Sequence, residues 1–279
     1  MRIWNRTKSA PSTPPELVEL DDVRDELTAT RAGTVILGVG EIGPMTLDLE
    51  HSHVLVVGGS GSGKRLLVRS IAAQGLAHGD EVVILDGTGR HRWAAGHPDV
   101  AYADRTAEMH FQLVRLGEEL ADRMCADNDE LYAMRRVMLI VENRGELVEA
   151  LRWYWEQNRT PTDPAGSPAV AALAALEVSS RSLRMHIVAA VNSPAALPGA
   201  ARLLYGVRII SSRERAQSWA VASRGLPQPL AAQSGRRGRF WVVSGQTAVP
   251  LQALMLTDDE ARHLAAAVIL SARKIWGAA

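Results

Sequence analysis

The chain is poor in residues that build covalent or metal-clamped frameworks. Cys125 is the one cysteine in 279 residues. An intrachain disulfide and a cysteine zinc cluster are therefore excluded, and a reducing interior is the expected setting. Lysine occurs only as Lys8, Lys64 and Lys274, so arginine carries most of the positive charge, a bias that fits a GC-rich genome. Long apolar runs are also missing: the most apolar helix-like stretch, 168–176, falls far short of the ~20 residues that span a bilayer. The N-terminus, MRIWNRTKSAPSTPP, has no apolar core of a secretory signal. These absences give the expectation of a cytoplasmic chain with no membrane span.

Net charge is absent too: Lys+Arg and Asp+Glu are both 31. This excludes a uniformly basic nucleic-acid coat and an acidic disordered tail, but not a local basic face. The neutrality is segregated. Residues 1–150 carry 16 basic and 24 acidic side chains, and residues 151–279 carry 15 and 7. A basic second half reads either as a solvated arginine surface or as a face toward a polyanion.

What is present is an alternation of short apolar runs and amphipathic segments. Residues 9–15 (SAPSTPP) form a linker by composition, and 16–31 have the spacing of a short acidic helix. Strands are expected at 34–37, 46–49, 53–57, 81–85, 100–102, 137–141, 186–191, 206–210, 240–243 and 251–255. Helices are expected at 64–76, 106–124, 146–155, 169–183 and 258–272. This order predicts an α/β domain over 34–279, with a mostly parallel sheet covered by helices on both faces, preceded by an N-terminal extension over 1–33.

One motif carries chemistry. Gly58, Gly59, Ser60, Gly61, Ser62, Gly63 and Lys64 match G-x-x-x-x-G-K and lie between a strand and a helix, the context a phosphate loop requires. Glycines let successive backbone N–H groups turn toward a phosphate, the helix N-terminus adds partial positive charge, and Lys64 adds a point charge. ATP is the expected cofactor. The next residue is Arg65, where a Ser or Thr hydroxyl would ligate Mg²⁺. In the 137–143 run, VMLIVEN, Val141 stands where an Asp would hold the metal shell and Glu142 follows as a candidate base for water. No metal ligand is assigned, and Mg²⁺ is in doubt.

In this order the segments resemble the FtsK/SpoIIIE family of hexameric DNA-pumping ATPases, from about Ile36 to the C-terminus. Residues 46–64, TLDLEHSHVLVVGGSGSGK, are similar to the family's approach to its phosphate loop. Asp86-Gly-Thr resembles its "DPK", with the Lys absent. Residues 108–123 resemble its long helix, 137–142 its strand ending in "DE", and Arg181 with 186–194 its "GRA-GIHLVLATQRP". Residues 206–212, then 235–243 and 256–262, resemble its closing strands and "SDEE".

The resemblance implies a P-loop, RecA-like fold and a ring, hexameric in the family, threaded by double-stranded DNA. It implies catalytic roles for Lys64, Glu142 and Asn192, the last as a γ-phosphate sensor. It also implies phosphate-contacting arginines, for which Arg159, Arg181, Arg184, Arg236, Arg237 and Arg239 are the candidates. The short chain suits a phage, plasmid-transfer or other mobile-element translocase. The departures at 65 and 141 keep open a nucleotide- or DNA-binding scaffold that partners an active motor, with Arg65 as the phosphate's counter-charge. A secretion-ATPase relative is also open.

Overall fold

The computed structural model describes residues 14–229 and 236–267. In chain order come helix α1 (Arg24–Ala29), strands β1 (Thr34–Gly40), β2 (Gly43–Asp48) and β3 (Val54–Val57), α2 (Lys64–Ala77), β4 (Glu81–Leu85) and β5 (Val100–Ala103). Then follow α3 (Thr106–Cys125), α4 (Asn128–Ala133), β6 (Val137–Glu142), α5 (Arg144–Asn158), α6 (Pro168–Ser179) and β7 (Met185–Val191). The described chain ends with α7 (Gly199–Leu203), β8 (Val207–Ser211), α8 (Ala216–Ser223), β9 (Arg239–Ser244), β10 (Thr247–Ala253) and α9 (Asp258–Ala267).

The strands join one sheet in the order β2-β1-β10-β9-β8-β3-β7-β6-β4-β5. The six from β8 to β5 are parallel. β9, β10, β1 and β2 extend the sheet by antiparallel pairing. The parallel strands read as unbroken apolar runs because both of their faces are covered. Along β3, Val54 and Val56 enter one core while Leu55 and Val57 enter the other. The first core holds Leu67, Val68 and Ile71 of α2 and Ala261 and Ala265 of α9. The second holds Leu113 and Leu116 of α3, Leu151 of α5, Leu173 of α6 and Trp219 of α8. The mostly parallel sheet with helices on both faces is thus the observed architecture.

Several boundaries differ from the sequence expectation for local reasons. Residues 16–20 are not helical. The Val18 carbonyl accepts a hydrogen bond from the Met255 N–H (3.3 Å), so this stretch runs along the end of β10, and helical structure begins only at Asp21. Val18 and Val23 are buried in the first core. The helix expected over 169–183 stops at Ser179. The Ser180 hydroxyl donates to the Met185 carbonyl, and Arg184 turns the chain with φ 58° into β7. β10 starts at Thr247, four residues before the expected 251. The helices α4, α7 and α8 were not expected. Residues 268–272 of the expected last helix lie outside the described residues. Among the described residues no helix is long and apolar enough to cross a membrane.

Candidate nucleotide site

The site forms where β3 leaves the sheet. The Gly58 N–H donates to the Val191 carbonyl at the end of neighbouring β7 (3.1 Å), which fixes the start of the loop. Gly61 and Gly63 have φ values of 77° and 94°, and Gly63 is the N-cap of α2. A Cβ at Gly63 would lie 2.9 Å from the Gly238 nitrogen, so no side chain fits there. The Gly238 N–H in turn donates to the Ser62 carbonyl (2.8 Å). On the other flank, Glu214 Oε1 accepts from the Gly59 N–H (3.1 Å) and Arg213 Nη1 donates to the Gly61 carbonyl (3.2 Å).

Lys64 is buried at the first turn of α2. Its Nζ donates to Asn192 Oδ1 (3.0 Å) and lies 3.7 Å from Glu142 Oε1. His91 Nε2 lies 3.6 Å from the other oxygen of Glu142, and both side chains are fully buried. Burial works against the charge on Glu142, but His91 and Lys64 outweigh it and hold the carboxyl below the usual carboxylate range. Burial lowers the Lys64 ammonium from its ordinary value against the pull of Glu142, and Arg90 nearby lowers it further. The three residues expected to be catalytic, Lys64, Glu142 and Asn192, are therefore brought together.

The loop opens into a cavity of about 490 Å³ lined by Gly59, Ser60, Gly61, Gly63, Lys64, Arg65, Leu66, Arg90, Asn192 and Arg237. Glu142 instead lines a separate cavity of about 230 Å³, with Asp104 and Glu146. Sequence reading missed Arg90 and His91. Arg90 follows Asp86-Gly-Thr-Gly, near where a basic residue was noted as absent, and that offset was the available signal. His91 gave no signal.

The six arginines expected to face DNA are divided. Arg181 and Arg184 precede β7, at the opposite end of the sheet from the loop, and Arg181 is exposed. Arg184 donates to the Leu131 and Tyr132 carbonyls and lies over the Tyr132 ring. Arg159 is exposed just past the end of α5. The other three sit beside the phosphate loop. Arg237 lines its cavity, Arg236 pairs with Glu16 (2.5 Å), and Arg239 donates to the Pro14 and Pro15 carbonyls (3.1 and 2.8 Å).

Mg²⁺, which this kind of site implies, does not fit the donor set. Position 65 offers a guanidinium, and β6 offers Val141, buried in the core, in place of a carboxylate. Asp86 has its oxygens engaged by the Thr88 N–H and hydroxyl, the His91 N–H and the Tyr102 hydroxyl. Among the described residues no cluster of His, Cys, Asp or Glu is arranged to hold a metal ion.

An apolar parallel strand, a glycine loop in left-handed turns and a helix led by a buried lysine define a P-loop nucleotide fold. The family described as the type IV secretion-system coupling protein DNA-binding domain (TrwB_AAD_bind) matches residues 36–100. The chain is similar in structure to the pCW3 conjugation coupling protein TcpA, solved as a monomer with ATPγS. There the TM-score is 0.70 and the identity 19%, over 89% of this chain and 72% of that one. It is similar to ATPases 2 and 3 of EssC from Geobacillus thermodenitrificans, with TM-score 0.67, 18% identity, and coverage of 88% of this chain and 46% of that one. It is also similar to the cytoplasmic domain of the type VII secretion ATPase EccC from Thermomonospora curvata, with TM-score 0.61, 17% identity, and coverage of 88% and 28%. The chain thus spans under half of those two secretion ATPase chains. No curated protein matches it by sequence. The chain thus shares the fold of these coupling-protein and secretion-ATPase structures, a P-loop fold as the sequence resemblance implied.

Proposed function

We propose that this chain is a nucleotide-binding, motor-fold subunit of a mobile element's DNA-transfer apparatus, built like a coupling-protein ATPase, and that it binds ATP without turning it over. The observation that carries this reading is the combination of an intact phosphate loop with a sealed Glu142. The loop N–H groups of Ser60, Gly61 and Gly63 hold polyphosphate together with the Lys64 ammonium, while those of Gly58, Gly59 and Ser62 are engaged by protein acceptors, and Asn192 fixes the direction of Lys64. When bound, ATP supplies a polyanion and a cleavable phosphoanhydride. The residue that would activate water is fully buried, held between Lys64 and His91, and lines a different cavity. The subunit then serves as a nucleotide-gated member of a cytoplasmic ring, hexameric by analogy, beside an active motor.

A second reading keeps the chain as a translocase. It rests on the ionised state of Glu142 and its 3.7 Å approach to Lys64. Glu142 would then orient water, and a neighbouring subunit would donate an arginine.

Thermal melting and ATP turnover, each with and without double-stranded DNA, separate the two. ATP at 100 times its dissociation constant should add about 2.7 kcal/mol, raising Tm by roughly 5–10 °C. Lys64→Gln should lose that increment. Its melting temperature without nucleotide should also fall, because Glu142 loses a buried counter-charge. DNA-stimulated turnover abolished by Lys64→Gln would establish the translocase reading instead. Absence of any nucleotide shift in the wild type would remove the site.

For DNA, exposed Arg159 and Arg181 are the better-placed contacts, since Arg184, Arg236 and Arg239 are engaged by protein acceptors. Replacing either with alanine should weaken binding across sequences. Each lost phosphate contact should flatten the slope of log K against log salt by about 0.9. A slope unchanged in both variants would show that these residues do not face DNA.

A further inference from the structure

The phosphate cavity is a concentrated cation site. Lys64, Arg65, Arg90 and Arg237 line it, and among the described residues no Asp or Glu does. Arg65, Arg90 and Arg237 are exposed, so their guanidinium groups reach solvent at the mouth of the cavity, whereas Lys64 is buried at its floor. Arg90 comes from the loop after β4, Arg65 from the first turn of α2, and Arg237 from the segment before β9. Three separate parts of the fold therefore deliver positive charge to one place. Arg65, Arg90 and Arg237 also border an adjoining cavity of about 780 Å³, and Glu19, Asp258 and Glu260 line that one rather than the phosphate cavity. Glu142 is fully buried between Lys64 and His91, and Glu214 accepts the Gly59 N–H (3.1 Å). A divalent cation entering this cavity would meet like charge from four side chains and gain no carboxylate or hydroxyl from positions 65 or 141. A polyphosphate would meet four donors, three of them guanidiniums able to bind its oxygens in pairs.

We propose that this site holds a nucleoside triphosphate without a divalent cation, with Arg65 and Arg90 supplying the positive charge that a bound metal supplies in other phosphate-loop sites. The proposal rests on the nucleotide-binding reading above and adds its ionic requirement. The bound species is the fully ionised triphosphate. Arg237, which approaches the loop from the β9 side with its Cγ 3.6 Å from where a Gly63 Cβ would stand, completes the rim.

Isothermal titration of the full chain with ATP, in excess EDTA and in excess MgCl₂, tests this directly. Affinity in EDTA should equal that in MgCl₂ within about threefold, or exceed it. A larger loss in EDTA would overturn the proposal while leaving the nucleotide site standing. Absence of binding in both conditions would remove the site and the proposal together. Arg65→Ala and Arg90→Ala should each weaken binding in EDTA by about tenfold. Both positions are exposed, so melting without nucleotide should stay at the wild-type value and exclude a folding defect. Unchanged affinity in both variants would overturn the role assigned to the arginines. The Mg²⁺/EDTA comparison needs no variant and stands whether or not the variants fold.

Discussion

Arg144→Leu is expected to destabilise the fold by about 3–5 kcal/mol. Arg144 opens α5, and its Nε and Nη2 donate to the two carboxylate oxygens of Glu177 at 2.6 and 2.7 Å. The Tyr205 hydroxyl donates to Glu177 Oε1 (2.5 Å). All three side chains are buried. Burial first, and then the Glu177 charge, push the Tyr205 phenol well above its ordinary range, so it remains a donor. Removing the guanidinium leaves a buried carboxylate with a phenol alone to solvate it, and that uncompensated charge causes the loss.

The double variant Arg144→Leu/Glu177→Leu should recover much of the stability, because a buried pair and a well-packed apolar replacement are close in free energy. Urea unfolding of the two variants gives the comparison. A single variant within about 1 kcal/mol of wild type would show that the charge finds solvent. The effect should also reach the site. Arg144 follows Glu142 by two residues across Asn143, whose φ of 52° is a strained turn for a residue with a side chain. The ion pair therefore anchors the end of β6 where Glu142 is presented.

Acid should unfold the protein earlier than its carboxylates alone would require. Burial, followed by repulsion from the His186 ring once that is protonated in stronger acid, lowers His53 from 6.5 to about 3. Burial and then Arg136 lower His186 from 6.5 to about 4. Geometry agrees for His53, whose Nδ1 accepts the Ile187 N–H (3.1 Å) and so must lack a proton. Both rings are neutral in the folded chain and take up protons only on unfolding. The unfolded state thus binds more protons below pH 6.5, and stability falls as pH drops from there toward the folded values. The sign is opposite to that of a histidine paired with an acid, which gains stability in acid. Between pH 7 and pH 5 each ring should cost about 2 kcal/mol, or about 4 kcal/mol together. Urea unfolding across that range, beside His53→Gln, measures it. Asp80, raised to about 6 by burial, contributes with the opposite sign in this window, so the ring is read from the difference between wild type and His53→Gln, and a difference that stays flat from pH 7 to pH 5 would refute the neutral-ring assignment.

The features that set these two effects were not legible in the sequence, and the reason is physical. The phosphate loop is a local signal, with strand, glycines, lysine and helix contiguous in 54–77, and the structure places them as read. The two-sided burial of VLVV at 54–57 and VMLIV at 137–141 was likewise legible, because continuous apolar runs leave no polar face. The Arg144–Glu177–Tyr205 cluster joins residues from α5, α6 and the approach to β8. No periodicity marks such a meeting. The antiparallel flank of β9, β10, β1 and β2 depends on pairing between chain ends, as in Gly38 opposite Ala253, and short-range pattern does not encode it. At 16–20, Leu17, Val18 and Leu20 satisfy a helical spacing equally well as an extended segment that buries Val18 alone. The arginine group was read as one face because charge counts ignore strand direction, and the structure divides it between the two ends of β7 and β3.

The bond from the Gly238 N–H to the Ser62 carbonyl gives the phosphate loop a lever arm. Backbone meets backbone there, and a Cβ on Gly63 would already intrude on Gly238, so neither chain can yield without the other. Beyond Gly238 the strand is tied on two sides. The Gly238 carbonyl accepts the Ala253 N–H (2.8 Å) on β10, and Arg239 grips the carbonyls of Pro14 and Pro15. The phosphate loop is thereby joined through Gly238 and Arg239 both to β10 and to the segment at Pro14 and Pro15.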